Sequence, residues 1–503
     1  MNRLRIFGGL VVSLFSLCSS DAQDTTEIGS RRELFLDRVL IDTLDQAQLV
    51  LHHPVPKEIV LKHDKPWEGS GSGYHSIFQD GDKFRMYYKA WDLDVSQGKV
   101  TQPHPLYCCY AESTDGIHWE KPKLGLHEYQ GSKENNIVMA TGKIGSLNAD
   151  PGHPAVFLDD NPDAPADSRY KAIIRSSKPN ALLAFGSPDG IHFSPLADRP
   201  IITSGAFDSQ NLAFWDPNIG KYRAYFRFFN AGRRDILTAT SDNFLDWTKP
   251  EPIAYRDSPP EQLYTNQIKP YDRAPHILIG FPTRYVERGW NPSMEQLPDL
   301  EHRRLRSSAS NRYGMALTEG LLMSSRDGKT FDRWNEAFLR PGIQRPGTWH
   351  YGQQYLGWHV IETKSADEGA PNELSLYATE SYWTPPGSHV RRYTLRLDGF
   401  VSVNAPRSGG TLVTKPIRFT GDSLELNFSS SAAGGIRVAL ETPDGNDIPG
   451  FSLDDCHELF GDELARKVVW KNNPDLNALA GTPVRIRFEL KDADLYAYHF
   501  VSK

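Results

Sequence analysis

A seven-residue cassette, Ser-x-Asp-Gly-x-x-aromatic, recurs along this chain and limits its fold more than any other feature. It reads Ser113-Thr114-Asp115-Gly116-Ile117-His118-Trp119, then Ser187-Pro188-Asp189-Gly190-Ile191-His192-Phe193, then Ser325-Arg326-Asp327-Gly328-Lys329-Thr330-Phe331. A looser copy, Ser241-Asp242-Asn243-Phe244-Leu245-Asp246-Trp247, stands between the second and the third. Asp-Gly supplies the positive-φ positions of a tight turn, and the aromatic that follows opens the next strand facing inward. One such turn fits any β protein. Four of them, roughly 50 to 85 residues apart and each preceded by an alternating strand, mark the outer corners of repeated sheets and predict a propeller.

The segments between cassettes share one layout. Strand-like runs at 74–79, 84–90 and 106–112 lead to the cassette at Asp115, and runs at 155–158, 169–175 and 181–187 lead to that at Asp189. A third unit covers 210–215, 221–229 and 235–240, and a fourth covers 264–269, 276–284 and 315–323. A fifth covers 349–356, 358–364, 374–380 and 390–396. Such units of four short strands predict a five-bladed β-propeller over residues 23–396. Glu33-Leu34-Phe35-Leu36 alternates too and is expected to enter the first sheet. The excursion 284–310, with mixed charges and Trp290, is too long for an ordinary loop and is expected to be a functional lid. Around Leu397-Asp398-Gly399-Phe400 the pattern changes, and the alternating strands of 397–503 read as a β-sandwich accessory domain. The fold class is therefore all-β.

Composition agrees with a turn-rich β protein: 503 residues, 39% hydrophobic, 11% aromatic, with 40 glycines. The net charge of −7 is spread through the chain, which argues against a nucleic-acid partner. Arg3 and Arg5, the apolar run 6–17 and Ser20-Asp21-Ala22 predict a secretory signal over residues 1–22 and an exported, periplasmic or extracellular protein. The apolar run is too short to span a bilayer. Cys108, Cys109 and Cys456 make no disulfide framework and read as buried thiols, with a strained vicinal Cys108-Cys109 bridge as the alternative. A monomer or small homo-oligomer is expected.

The five-unit layout, with polar residues at the start of each innermost strand, resembles the propellers of glycoside hydrolase families 32 and 43. The segments Tyr110-Ala111-Glu112-Ser113-Thr114-Asp115 and Phe207-Asp208-Ser209-Gln210-Asn211, and the ending Arg396-Leu397-Asp398-Gly399-Phe400, are similar to secreted bacterial family-32-like proteins. The resemblance implies a five-bladed propeller, a C-terminal sandwich and action on a glycan. Its catalytic motifs depart. Trp67-Glu68-Gly69-Ser70-Gly71-Ser72-Gly73 lacks the nucleophile Asp of family 32, Phe207-Asp208-Ser209 stands where Arg-Asp-Pro is usual, and a Glu-Cys acid motif has no counterpart. Sucrose or fructan specificity does not carry over.

In a propeller the innermost strands open onto a central pocket, so residues at their entrances face a ligand. Those entrances hold His75, then Asp150 and His153, then Asp208 and Gln210, then Tyr264, Thr265 and Asn266, then Trp349, His350 and Tyr351. Such a ring supplies hydrogen bonds to sugar hydroxyls and aromatic faces for stacking. Glycoside hydrolysis normally uses two carboxyls, one protonated and one ionised. The candidate pair is Asp208 with Asp150 or Glu319, with Glu362 and Glu68 behind them. Lys89, Arg175, Arg227 and Arg284, near one end of successive second strands, either form a cationic ring for an acidic sugar, or are solvated or pair with inner acids. Arg303, Arg304 and Arg306 read as solvated loop. No metal motif is present and no cofactor is expected; a structural calcium in the channel is compatible with the fold. Two functions stand: a glycosidase acting on an extracellular oligo- or polysaccharide, acidic ones included, and a non-catalytic glycan-binding propeller. A lyase using His75 or His350 with Tyr351 is a third.

Overall fold

In a computed structural model of the protein, residues 25–502 are described, and the predicted signal lies outside them. Five sheets, antiparallel except where Ala254–Arg256 pairs parallel with Thr330–Arg333 in the fourth, form a five-bladed propeller. Blade 1 runs outward through Gly73–Asp80, Lys83–Ala90, Tyr107–Ser113 and Ile137–Ala140. The inner strands of blades 2 and 3 are Leu147–Leu158 and Leu212–Asp216, each followed by two strands of 8 to 10 residues and a two-residue outer one. Blade 4 begins at Lys269–Tyr271 and Ala274–Gly280, and blade 5 at Tyr355–Leu356 and Ile361–Thr363 against Glu373–Glu380. The outermost strand of blade 5, Val55–Lys62, comes from the other end of the chain and pairs with His389–Arg396. That pairing closes the ring.

The cassettes hold neighbouring blades together. In all three clear copies the serine hydroxyl accepts the glycine N–H at 2.9 Å. The aspartate accepts the next two backbone N–H groups at 2.7–2.9 Å. Each glycine takes a φ of 72° to 77°, and its carbonyl accepts a tyrosine hydroxyl from the preceding blade. Tyr87 of blade 1 bonds Gly190 of blade 2, Tyr225 of blade 3 bonds Gly328 of blade 4, and Tyr377 of blade 5 bonds Gly116 of blade 1. A Cβ on Gly190 would stand 2.6 Å from the Tyr87 hydroxyl, so the close approach requires glycine as firmly as the dihedral does.

Glu33-Leu34 does not join the first blade. Thr26–Gly29, Glu33–Leu34, Ile41–Asp45 and Gln48–Leu51 pair with Ile417–Phe419, Arg485–Val501, Gly410–Thr414 and Val401–Ala405. Residues 26–51 thus complete the C-terminal unit, whose sheet is built on the long strands Ser423–Glu441 and Arg485–Val501. Alternation told of a strand, but its partner lies at the opposite end of the sequence. A shared apolar core, including Leu34, Leu36, Tyr271, Phe281, Phe338, Phe400 and Ala497, joins this unit to blades 4 and 5.

The excursion is a hairpin, Thr283–Glu287 with Ala316–Gly320, carrying three short helices: α1 (Pro292–Glu295), α2 (Leu300–Ala309) and α3 (Asn311–Met315). Arg303 and Arg306 are buried in it, contrary to the solvated reading. Arg303 donates to the carbonyls of Pro298, Gly314, Thr348 and Trp349. Arg306 lies 4.7 Å from the Trp383 ring centre and contacts His350. Both guanidiniums fasten the helices to the propeller, and only Arg304 of the three is exposed, paired with Glu295. No helix among the described residues is long and apolar enough to cross a membrane.

Candidate functional site

The five inner strands begin around a cup that α3 covers. Tyr74 of blade 1, His153 of blade 2, and Asp208, Tyr264 and Tyr351, which precede blades 3, 4 and 5, all line it. Lys89, Trp91, Tyr382 and Trp383 add a second layer, and Arg312 and Tyr313 come from α3. The cavity is about 90 Å³. A wider groove of about 510 Å³ adjoins it, sharing Leu93 and Trp383 and continuing past Pro385, Pro386 and His302.

Asp208 is the acid of the cup. Its side chain is 66% exposed, with Oδ1 3.4 Å from His153 Nε2 and 3.5 Å from Arg175 Nη1, and Oδ2 3.9 Å from Arg227 Nη2. Enclosure by the walls works to raise its pKa; His153, Arg227, Arg175 and Lys89 outweigh that and hold it below the usual carboxylate range. Arg175 and Arg227 project from the second strands of blades 2 and 3 and pair with the inner acid Asp208, and Arg227 lies 5.3 Å from the Tyr264 ring centre.

Asp150 sits in a bulge of the inner strand of blade 2, register-paired with Arg175. The bulge spans Asp150-Pro151-Gly152-His153-Pro154, where two prolines that cannot donate to the ladder break the pairing. The same bulge aims His153 into the cup. The Asp150 side chain is buried and accepts the Gly152 N–H at 2.9 Å. Burial raises its pKa, and the nearby Asp208 charge acts in the same direction against Gly152, Arg175 and Lys89. The two carboxyls are therefore pushed apart: Asp208 toward the ionised form, Asp150 toward the protonated one. His153 is lowered to about 3 by burial and by the neighbouring cations, against the pull of Asp208, so it is a neutral imidazole.

Tyr351 lines the cup, its hydroxyl 2.7 Å from that of Tyr264. Other expected residues are engaged elsewhere. The Gln210 amide donates to the carbonyls of Tyr74 and Pro154 and to Ser76 Oγ, and accepts from Gln267; it stitches blades together beneath the cup. Asn266 is buried in a turn, accepting the Ile268 N–H and donating to the Tyr225 carbonyl. His75 is buried against His63, with 3.2 Å between their Nε2 atoms, and stacks on Tyr88. His350 bonds Asp299 at 2.9 Å and so anchors the start of α2 rather than facing the cup. The Trp349 indole donates to Gly342 O.

Arg284 and Glu319 are cross-strand partners of the lid hairpin and bond each other at 2.6 Å. Strand alternation puts Tyr285 toward the tyrosines of the cup and sends this pair to the other face, where Glu261 and Asn335 complete it. Glu319 is thus not brought to Asp208. Glu68 is buried and spent on Tyr88 and Lys121, and Glu362 binds Asn372 away from the cup. The cassette aspartates are at the outer corners. The entrance rule missed Tyr74, Trp91, Arg312, Tyr313, Tyr382 and Trp383. The adjacent pairs Arg312-Tyr313 and Tyr382-Trp383 were the available signal, since aromatics beside a cation or another aromatic at a loop suit sugar contacts. Among the described residues, no group of three or more His, Cys, Asp or Glu is arranged to hold a metal ion.

No family model matches the chain, and no curated protein does. Solved structures similar to it include one from work on the GH130 family of mannoside phosphorylases containing glycoside hydrolases that target β-1,2 mannosidic linkages in Candida mannan. It is 13% identical over 69% of this chain and 94% of that one, with a TM-score of 0.40. A glycosyl hydrolase from Bacteroides ovatus is 15% identical over 73% and 93%, with a TM-score of 0.35. An endo-arabinase from Bacteroides thetaiotaomicron is 11% identical over 67% and 98%, with a TM-score of 0.37. At such scores the architecture rests on the strand pairing described above.

Proposed function

We propose that the protein is an exported glycosidase acting on an acidic oligo- or polysaccharide, with its chemistry at Asp208 and Asp150. The observation that carries this reading is the pair itself. Two carboxyls share the neighbours Arg175 and Lys89, yet one is held ionised and the other is pushed toward the neutral acid. That division is what a base or nucleophile and a general acid require. The exposed face of Asp208 leaves room for a sugar ring, the adjoining groove for further units, and the tyrosines for stacking. Lys89, Arg175, Arg227 and Arg312 outnumber the acids around the cup, which favours a negatively charged ligand.

In this reading Asp208 attacks the anomeric carbon or activates water, and Asp150 protonates the leaving oxygen. Activity then needs Asp208 ionised and Asp150 protonated. It falls as pH drops through the depressed pKa of Asp208 and as pH rises through the elevated pKa of Asp150. The test is product release from neutral, uronic and sulfated glycans across pH. Asp208→Asn and Asp150→Asn should each slow release about 10²- to 10⁴-fold. Undiminished release by Asp208→Asn would sink the assignment. A non-catalytic glycan-binding propeller is the second reading, favoured because three cationic or imidazole groups already face the Asp208 oxygens. Binding with no release from any glycan is its signature.

A further inference from the structure

The cup contains a cation left without a counter-ion. Lys89, at the end of the second strand of blade 1, is 1% exposed. Its Nζ donates to Tyr382 Oη at 3.3 Å and lies 4.6, 4.7 and 5.3 Å from the ring centres of Tyr74, Trp91 and Tyr382. Among the described residues no carboxylate comes within 4.0 Å of it. Asp208 and Asp150 act on it only from farther off. An ammonium withdrawn from water and given one long hydrogen bond and three aromatic faces is poorly compensated. Two other lining residues also carry buried nitrogens without partners, His153 Nδ1 and Arg312 Nη1. The cup cavity that Lys89, His153 and Arg312 line, about 90 Å³, has room for one ionised substituent.

We propose that this cavity is an oxyanion site, in which Lys89, with Tyr382 and Arg312, receives a carboxylate or sulfate group carried by the ligand. That the carrier is a sugar seated against Asp208 rests on the function proposed above; the oxyanion site does not.

The site has a proton linkage. Burial lowers Lys89 to about 7, against the pull of Asp208 and Asp150. The other titratable groups around it are Tyr74 and His75 on the inner strand of blade 1, His153 and Arg175 on blade 2, Tyr382 on blade 5, and Arg312 on α3 across the cup. His75 and His153 are lowered to about 3 and stay neutral near pH 7. A bound anion raises Lys89 above its free value, so binding takes up protons. Affinity is then full below about pH 7 and falls as pH rises above it, by up to about tenfold per pH unit.

Calorimetric titration of the whole protein with galacturonate, galactose 6-sulfate and galactose tests this at about pH 6 and about pH 8. At least one charged sugar should bind about tenfold or more tighter than galactose, with proton uptake, and the tighter of the two identifies the oxyanion. Lys89→Met should lose the preference. Lys89→Arg should keep it without the pH dependence, because a guanidinium stays protonated. The proposal is overturned if neither charged sugar outbinds galactose, if the preference in the parent protein is independent of pH, or if a folded Lys89→Met retains it. Because binding is read and not cleavage, the two readings fail separately. Anion preference without release from any glycan sinks only the hydrolase, and release without anion preference sinks the oxyanion site and the acidic substrate but leaves the hydrolase standing.

Discussion

Asp189 and Asp208 stand close in sequence, and both are held below the ordinary carboxylate range, one at a blade corner and the other in the cup. Asp189 Oδ1 accepts the N–H groups of Ile191 and His192 at 2.8 and 2.9 Å, and Oδ2 meets His192 Nδ1 at 2.7 Å. Desolvation opposes its ionised form, and these short bonds override it. Asp208 has neighbours at 3.4 to 3.9 Å, all of them side chains, and a largely open face. The first carboxylate is saturated by backbone fixed in a turn, so nothing remains for a ligand. The second is stabilised by charge at a distance, which leaves its oxygens free to react. A lowered pKa alone does not separate structure from function; the identity and distance of the partners do.

Three substitutions probe that contrast. Gly328→Val places a side chain at a φ of 72°, where its Cβ would lie 2.5 Å from the buried Arg223 guanidinium carbon. It should cost about 3 kcal/mol or more in urea unfolding, the largest stability effect of the series. Asp189→Ala removes the acceptor of two backbone N–H groups and should cost about 1–2 kcal/mol. Glycan release per folded molecule should not change. Asp208→Asn should leave unfolding within about 0.5 kcal/mol of the parent while removing release. A loss of stability as large as that of Asp189→Ala would erase the distinction between the two carboxylates.

The blades were legible because their signals are local. Each cassette writes its turn in adjacent residues, and strand alternation writes the sheets beside it. The recurrence of Lys89, Arg175, Arg227 and Arg284 near one end of successive strands was visible too, but not which of the four reach the cup. What failed was partnership. Gln210, Asn266 and His75 stand at strand entrances like true cup residues, but a polar residue there faces either the ligand or the seam between blades, and only the fold decides. Arg284 and Glu319 were each read alone, whereas their cross-strand pairing consumes both. Arg303 and Arg306 looked solvated because their partners are backbone carbonyls, an imidazole and aromatic rings, none of them the acid a charge pattern would show. The strand at Glu33-Leu34 was visible, and its partner at 497–498 was not.

The closure of the ring has a consequence for how the chain is made. Residues 26–51 pair only with strands between 401 and 501, and the final strand of blade 5 follows directly after them at Val55–Lys62. As a ribosome delivers the chain, its first strands wait for partners that are synthesised last. Blades 1 to 4 can assemble in order during that interval, while the fastening of the circle and the completion of the C-terminal unit are postponed until nearly the whole polypeptide is available. An unfinished chain thus carries unpaired strand edges at its leading end throughout its synthesis.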